Sequence, residues 1–261
     1  MGRDGRAGTL EGRVAVVTGG TRGVGAGIAR AFLAAGAEVV VCARRPPREP
    51  IRTGNRTAEF LALDLREHHA VSEFFDLLAG PSRYGRLDCL VNNAGGTPHR
   101  TLSAGSAHQH ERVIELNLSA PMAASLAAHR HLAAAHGSIV MIGSVSATRP
   151  SPGSAAYGAA KAGLEHLARS MAVEWAPHVR VNTVVPGPVR TELAALHYGD
   201  AAGLAAVAHT IPAGRLAEPS DVGAAAVFLA SAAAAHVSGA QLLVHGGGER
   251  PAFLEAANVN H

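Results

Sequence analysis

Seven short runs of mainly Val, Ile and Leu recur along the chain: Val14–Val17, Val39–Cys42, Phe60–Leu63, Cys89–Val91, Ile139–Ile142, Val179–Val184 and Gln241–Val244. Runs this short, apolar on both faces, predict strands buried on both sides, as in a parallel sheet. Between them lie Ala-rich stretches with helical spacing, at Gly25–Ala35, Val71–Leu78, Ala107–Ala134, Ala155–Trp175 and Ser220–Ala230. Alternation of strand and helix implies right-handed βαβ crossovers and a doubly wound α/β fold. That fold is a seven-stranded parallel sheet with helices on both faces, a three-layer sandwich.

Two segments break the alternation. Arg44–Gly54 contains Pro46, Pro47 and Pro50 and cannot be an ordinary helix, so a loop replaces one crossover. Arg190–Ala213 is only weakly helical and follows a strand, where long irregular segments lie over the ligand crevice; a mobile lid over about 190–213 is expected there. No repeat, linker or composition shift divides the 261 residues, so one domain over 1–261 is expected, with irregular ends at about 1–11 and 249–261.

Composition narrows the class. Apolar residues make up 48% of the chain and charged residues 16%, which suits a packed globule and not a disordered chain. The net charge of +3 hints at an anionic ligand, but the basic residues are dispersed and nucleic acid is not indicated. Cys42 and Cys89 each sit in an apolar run and read as buried thiols in a reducing cytoplasm. Neither a signal peptide nor a membrane segment is expected.

The first strand runs into Thr18-Gly19-Gly20-Thr21-Arg22-Gly23-Val24-Gly25, followed by an Ala-rich helix. Glycines let the backbone turn tightly, and the helix N-terminus offers free N–H groups to a pyrophosphate. A tight turn without a ligand would use glycine too, but the position after the first strand favours a dinucleotide.

The same turn resembles the short-chain dehydrogenase/reductase family, of the ketoreductase type. Further motifs agree in order and spacing: Asn92-Asn93-Ala94-Gly95, Ser144, Tyr157-Gly-Ala-Ala-Lys161 and Pro186-Gly187. The likeness spans about Gly12 to Gly248 and implies a Rossmann-type fold and a nicotinamide cofactor. On this resemblance, Gly19, Thr21, Arg22, Gly23, Val24, Gly25, Asn93, Ala94 and Gly95 approach the cofactor. Asp64 and Leu65 match the pair at the adenine, although Asp64 could equally cap a helix starting near Arg66. Pro186, Gly187, Val189 and Thr191 match the segment at the nicotinamide carboxamide.

An NAD site usually places an acidic residue about 20 positions past the glycine turn. Here the chain reads Cys42-Ala43-Arg44-Arg45, so no carboxylate repels a 2'-phosphate and two guanidinium groups could pair with it. NADP (NADPH) is therefore expected, with NAD as the second choice if Arg44 and Arg45 are merely solvated.

Tyr157 and Lys161 are four apart and share one helix face. A cation about 4 Å from a phenol, at an effective dielectric near 20, contributes roughly 4 kcal/mol and could bring the tyrosine toward neutrality, with desolvation opposing. The resemblance makes Tyr157 the acid/base, Ser144 the holder of the carbonyl oxygen, Lys161 a binder of the nicotinamide ribose, and Asn117 the support of a proton-relay water. Substrate contacts are expected from Ser146, Arg149, His197 and Tyr198, with Gly96–His99 and His209 nearby. His108/His110 and His129/His131 lie two apart on a helix, point in different directions and make no metal clamp. His245, in Val244-His245-Gly246-Gly247, departs from the family's usual aspartate and leaves the local packing open.

These readings converge on an NADP(H)-dependent interconversion of ketone and secondary alcohol on a small molecule, by a homotetramer or homodimer. NAD-dependent alcohol oxidation and a non-catalytic cofactor-binding sensor stand as alternatives.

Overall fold

The computed structural model describes residues 9–252. In chain order it contains β1 (Val14–Thr18), α1 (Gly23–Ala34), β2 (Glu38–Ala43), β3 (Arg52–Thr53), β4 (Arg56–Thr57), β5 (Glu59–Ala62), α2 (His68–Ala79), β6 (Cys89–Asn92), α3 (Ala107–Ile114), α4 (Ala120–Ala135) and β7 (Ser138–Ile142). It continues with α5 (Ala155–Glu174), β8 (Arg180–Pro186), α6 (Ala194–Tyr198), α7 (Ala201–Thr210), α8 (Pro219–Ala230) and β9 (Gln241–Val244). Seven strands form one parallel sheet in the order β5-β2-β1-β6-β7-β8-β9.

Successive residues of a strand point to opposite faces, and the core divides accordingly. Val14, Val16, Val40, Leu90, Ile139 and Met141 pack with Phe75, Leu78, Leu132, Leu164 and Met171 of α2, α4 and α5. Ala15, Val17, Val41, Val91, Val140 and Ile142 pack with Ile28, Phe32, Val222 and Leu229 of α1 and α8. Each such side chain fully removed from water contributes about 1.5–3 kcal/mol, so both faces must be covered. The three-layer sandwich follows. Chain direction across the sheet reverses between β1 and β6, which opens a crevice at their C-terminal ends.

The proline-rich segment is a loop as expected, ending in the small hairpin β3–β4 outside the main sheet and anchored by the buried Ile51. Both cysteines are free and buried, and burial pushes each thiol up to about 12.

Two expectations need correction. The stretch Ala107–Ala134 is not one regular α-helix, because Glu115–Ser119 forms a π turn between α3 and α4. Asn117 Nδ2 donates to the Val113 carbonyl at 2.8 Å, taking an acceptor that the α-helical ladder would use. The segment Arg190–Ala213 is largely ordered into α6 and α7, with the Asp200 carboxylate accepting the Ala202 and Gly203 N–H groups at 3.0 Å each. Where they are described, the ends at 9–11 and 249–251 carry no helix or strand and are tied down by hydrogen bonds: Leu10 is buried and its N–H donates to Ala35, and the Arg250 N–H donates to Thr210. Residues 1–8 and 253–261 lie outside the described part.

Candidate active site

The glycine turn closes the crevice at the end of β1. Gly19 has φ +63°, and an added Cβ would lie 2.9 Å from Ala94 Cα, so this position needs both a left-handed backbone and the absence of a side chain. The Thr18 hydroxyl accepts the N–H groups of Asn93 and Ala94 at 3.0 Å each, and Asn93 Nδ2 donates to the Thr18 carbonyl at 2.8 Å. These bonds lock the segment after β6 onto the glycine turn. Arg22 is the exposed N-cap of α1, with Thr21 beside it, while Val24 and Gly25 turn inward.

The Gly23 N–H, at the N-terminus of α1, donates to Glu192 Oε1 at 2.9 Å. That bond, with Arg22 and Arg30 nearby, holds the Glu192 carboxyl below its usual range despite desolvation. A carboxylate drawn to this point is a direct observation that the turn attracts anions.

A cleft lined by Arg44, Ala62, Leu63, Asp64, Glu67 and Ala70 continues from the turn along the ends of β2 and β5. Its one basic lining residue is the exposed Arg44; Arg45 is also exposed but does not line the cleft. Asp64 neither caps α2, which starts at His68, nor stands free: Arg66 Nε and Nη2 bind its two oxygens at 2.9 and 2.5 Å and bring its pKa to about 2. Leu65 is buried in the core with Leu63 and Val71, and of these Leu63 also lines the cleft.

Ser144, Tyr157, Lys161 and Asn117 meet at the C-terminal ends of β6 and β7. Ser144 follows β7, and its hydroxyl oxygen accepts the Ser146 N–H at 3.1 Å. The Ser144 hydroxyl lies close enough to the Tyr157 hydroxyl to lower its pKa against the effect of burial. Lys161 is buried, with Nζ 5.6 Å from the Tyr157 ring centroid and donating to the Ile142 carbonyl at 2.8 Å. Asn117, fully buried, exchanges two bonds with Gly96, its Oδ1 accepting and its Nδ2 donating at 2.9 Å, and stands against Gly95.

The expected lowering of the Tyr157 pKa by Lys161 is not what this geometry produces. Burial pushes the phenol up, the Ser144 hydroxyl opposes that, and the ammonium sits over the ring near a carbonyl rather than at the hydroxyl. Lys161 itself is brought down to about 8 by desolvation, with Glu165 acting in the opposite direction.

Pro186 ends β8, and the Gly187 N–H donates to Val244, which seats His245 against Gly187. Val189 bridges to Ala217 and packs on the core, whereas Thr191 lies beside Gly23. Arg149 is not free. It pairs with Glu249 at 2.9 Å, next to Tyr198, whose pKa both influence. His197 is exposed, with its ring 6.1 Å from that of Tyr198. No group of three or more His, Cys, Asp or Glu that could hold a metal occurs among the described residues. His131 is bonded to Asp76 and His129 packs on Trp175.

Two residues at the site, Glu192 and Glu165, escaped sequence reasoning. Another signal was available in composition: Lys161 is the lone lysine among 23 Lys and Arg residues. Every exposed cation is an arginine, and the one ammonium is kept where a shiftable pKa matters.

This sheet, its glycine turn and the Ser-Tyr-Lys cluster at the switch point define a dinucleotide-dependent oxidoreductase. A family model described as Enoyl-(Acyl carrier protein) reductase matches residues 19–249. The chain is 38% identical over 250 residues to an L-fucose dehydrogenase of Oryctolagus cuniculus, covering 91% of this chain and 85% of that one. It is 35% identical over 243 residues to the 3-oxoacyl-[acyl-carrier-protein] reductase FabG of Escherichia coli, covering 91% and 98%. A solved putative 2-deoxy-D-gluconate 3-dehydrogenase of Agrobacterium tumefaciens with bound NADP superposes with TM-score 0.84 at 36% identity, covering 93% and 98%. The chain belongs to the short-chain dehydrogenase/reductase family. It is an oxidoreductase, and no helix among the described residues is long and apolar enough to cross a membrane.

Proposed function

We propose that this enzyme uses NADP(H) to interconvert a ketone and a secondary alcohol on a small molecule, acting as a ketoreductase. The closeness of the Ser144 and Tyr157 hydroxyls, with buried Lys161 over the tyrosine ring, carries the reading. Ser144 and Tyr157 are placed to grip one substrate oxygen, and Tyr157 to give it a proton or take one away. Lys161 supplies a positive charge beside the phenol, and Asn117 fixes the Gly95–Gly96 backbone under the site. A bound nicotinamide would supply or accept the hydride. Arg44 is placed to hold a 2'-phosphate, with Arg45 beside it, and the Gly23–Gly25 turn to hold the pyrophosphate.

The relatives' names span sugars and carrier-bound acyl chains, so the substrate is assigned by class alone. We further place the enzyme in the cytoplasm as a homotetramer or homodimer. Exposed Leu126 of α4 and Val173 of α5, on the two long helices, support an apolar contact there.

Fluorescence titration with NADPH and NADH at one ionic strength tests the cofactor assignment. NADPH should bind at least about tenfold tighter, and Arg44→Ala should remove about that factor for NADPH and little for NADH, since hydrogen bonds to charged groups contribute about 1.5–3 kcal/mol. Equal or tighter NADH binding overturns the NADP assignment in favour of NAD-dependent alcohol oxidation. Binding without turnover of any ketone or alcohol would point to a sensor.

A further inference from the structure

Glu165 lies one helical turn beyond Lys161 on α5, so Tyr157, Lys161 and Glu165 form one ladder at spacing four. It is 4% exposed, which is rare for a carboxylate and costs stability unless the charge is matched. Its matching is partial. Oε2 accepts from Gln241 Nε2 of β9 at 3.0 Å. Oε1 is buried without a well-formed hydrogen bond, although the Ser144 backbone N–H approaches the carboxylate closely enough to lower its pKa.

Gly143 explains how the carboxylate reaches this place. A Cβ there would lie 2.7 Å from Glu165 Oε1, so a side chain at 143 would push Glu165 away. Gly143 is flanked by Ile142, whose carbonyl holds Lys161 Nζ, and by Ser144. The carboxylate thus sits beneath the backbone that carries both. Among the described residues, the charged groups acting on this pair are Lys161 and Glu165 on each other and exposed Arg169 of α5 on Glu165; β9 contributes neutral Gln241 and β8 the buried hydroxyl of Thr183.

We propose that Glu165 is a positioning residue for the reaction: its buried charge keeps Lys161 an ammonium ion and braces the Gly143–Ser144 backbone that presents the serine. This rests on the assignment of Tyr157 and Lys161 as catalytic. Removing the carboxylate leaves Lys161 with desolvation unopposed, so its pKa falls and its ammonium is lost at lower pH.

Because Lys161 is the chain's one lysine, full-length protein labelled at the lysine ε-carbon gives a single side-chain signal whose titration is read by NMR without substrate or cofactor. Glu165→Gln should lower the midpoint by about one pH unit, the size of one charge on the next helical turn at an effective dielectric near 20. Gln241→Leu, which keeps the carboxylate but removes its donor, should give a smaller shift in the same direction. In turnover, the alkaline limb at which the Lys161 ammonium is lost should move to lower pH by a similar amount, with most of the shift reversed by Glu165→Asp.

An unchanged midpoint in both variants overturns the proposal, and so does a uniform loss of rate with the limb in place. A wild-type protein with no turnover, but with the NMR shift intact, would overturn the catalytic assignment while leaving the Lys161–Glu165 coupling standing.

Discussion

Two buried charge clusters in this molecule are built in opposite ways. At the N-terminal end of the sheet, Asp88 is 6% exposed and fully answered: its oxygens accept from Arg13 at 2.7 Å, the Val14 N–H at 2.9 Å and Arg86 at 2.7 and 2.6 Å. These donors outweigh desolvation and hold its carboxyl below the ordinary value of 3.8. At the opposite end of the sheet, Lys161 and Glu165 are just as buried but poorly answered, and burial moves each toward its neutral form. A saturated cluster fastens strands and resists titration. An under-satisfied one brings its groups closer to their neutral forms, which is what the proposed proton transfer requires of its surroundings.

Substitutions can separate the two clusters by their readouts. Tyr157→Phe should lower turnover about 10³-fold while leaving the urea midpoint almost unmoved, because only the acid/base group is lost. A retained rate would remove Tyr157 from that role.

Asp88→Ala should do the reverse. It leaves the buried Val14 N–H unpaired, while the half-exposed Arg13 and Arg86 turn to water, and should cost about 1–3 kcal/mol of stability, read by urea denaturation, with turnover per folded molecule unchanged. The pH dependence follows from the lowered pKa. The contribution of Asp88 is complete above the unfolded value of 3.8 and is lost as pH falls through the lower folded value, so the acid-side loss of stability should be shallower in the variant.

The smallest effect belongs to Glu192→Gln. Freeing the Gly23 N–H from a carboxylate should tighten dinucleotide binding about two- to fivefold, the scale of one charge at a helix end, as measured by fluorescence titration. Weaker binding would instead make Glu192 a tether that holds the β8–α6 connection over the cofactor.

Much of the architecture was readable from local pattern. Continuous apolar runs marked all seven strands, and the glycine turn and the Tyr157–Lys161 pair declared themselves because their chemistry depends on neighbours three to four residues apart. Glu165 did not. In Leu164-Glu165-His166 it reads as an ordinary solvated helix residue, and its hydrogen-bond partner, Gln241, lies 76 positions away. Leu65 turned into the core because Leu63 and Val71 claim it there, and Arg149 was engaged by Glu249, a hundred residues later.

The division has one physical origin. Strand identity, the phosphate turn and the catalytic spacing are properties of a few consecutive residues, whose backbone preferences and side-chain period act before any distant contact forms. Which charges are matched, and hence which pKa values move, depends on sheet order. Once β1 lies between β2 and β6, and β9 beside β8, Asp88 meets Arg13 and Glu165 meets Gln241. Burial and partner are then set together, because the same packing that removes water from a charge chooses what replaces it.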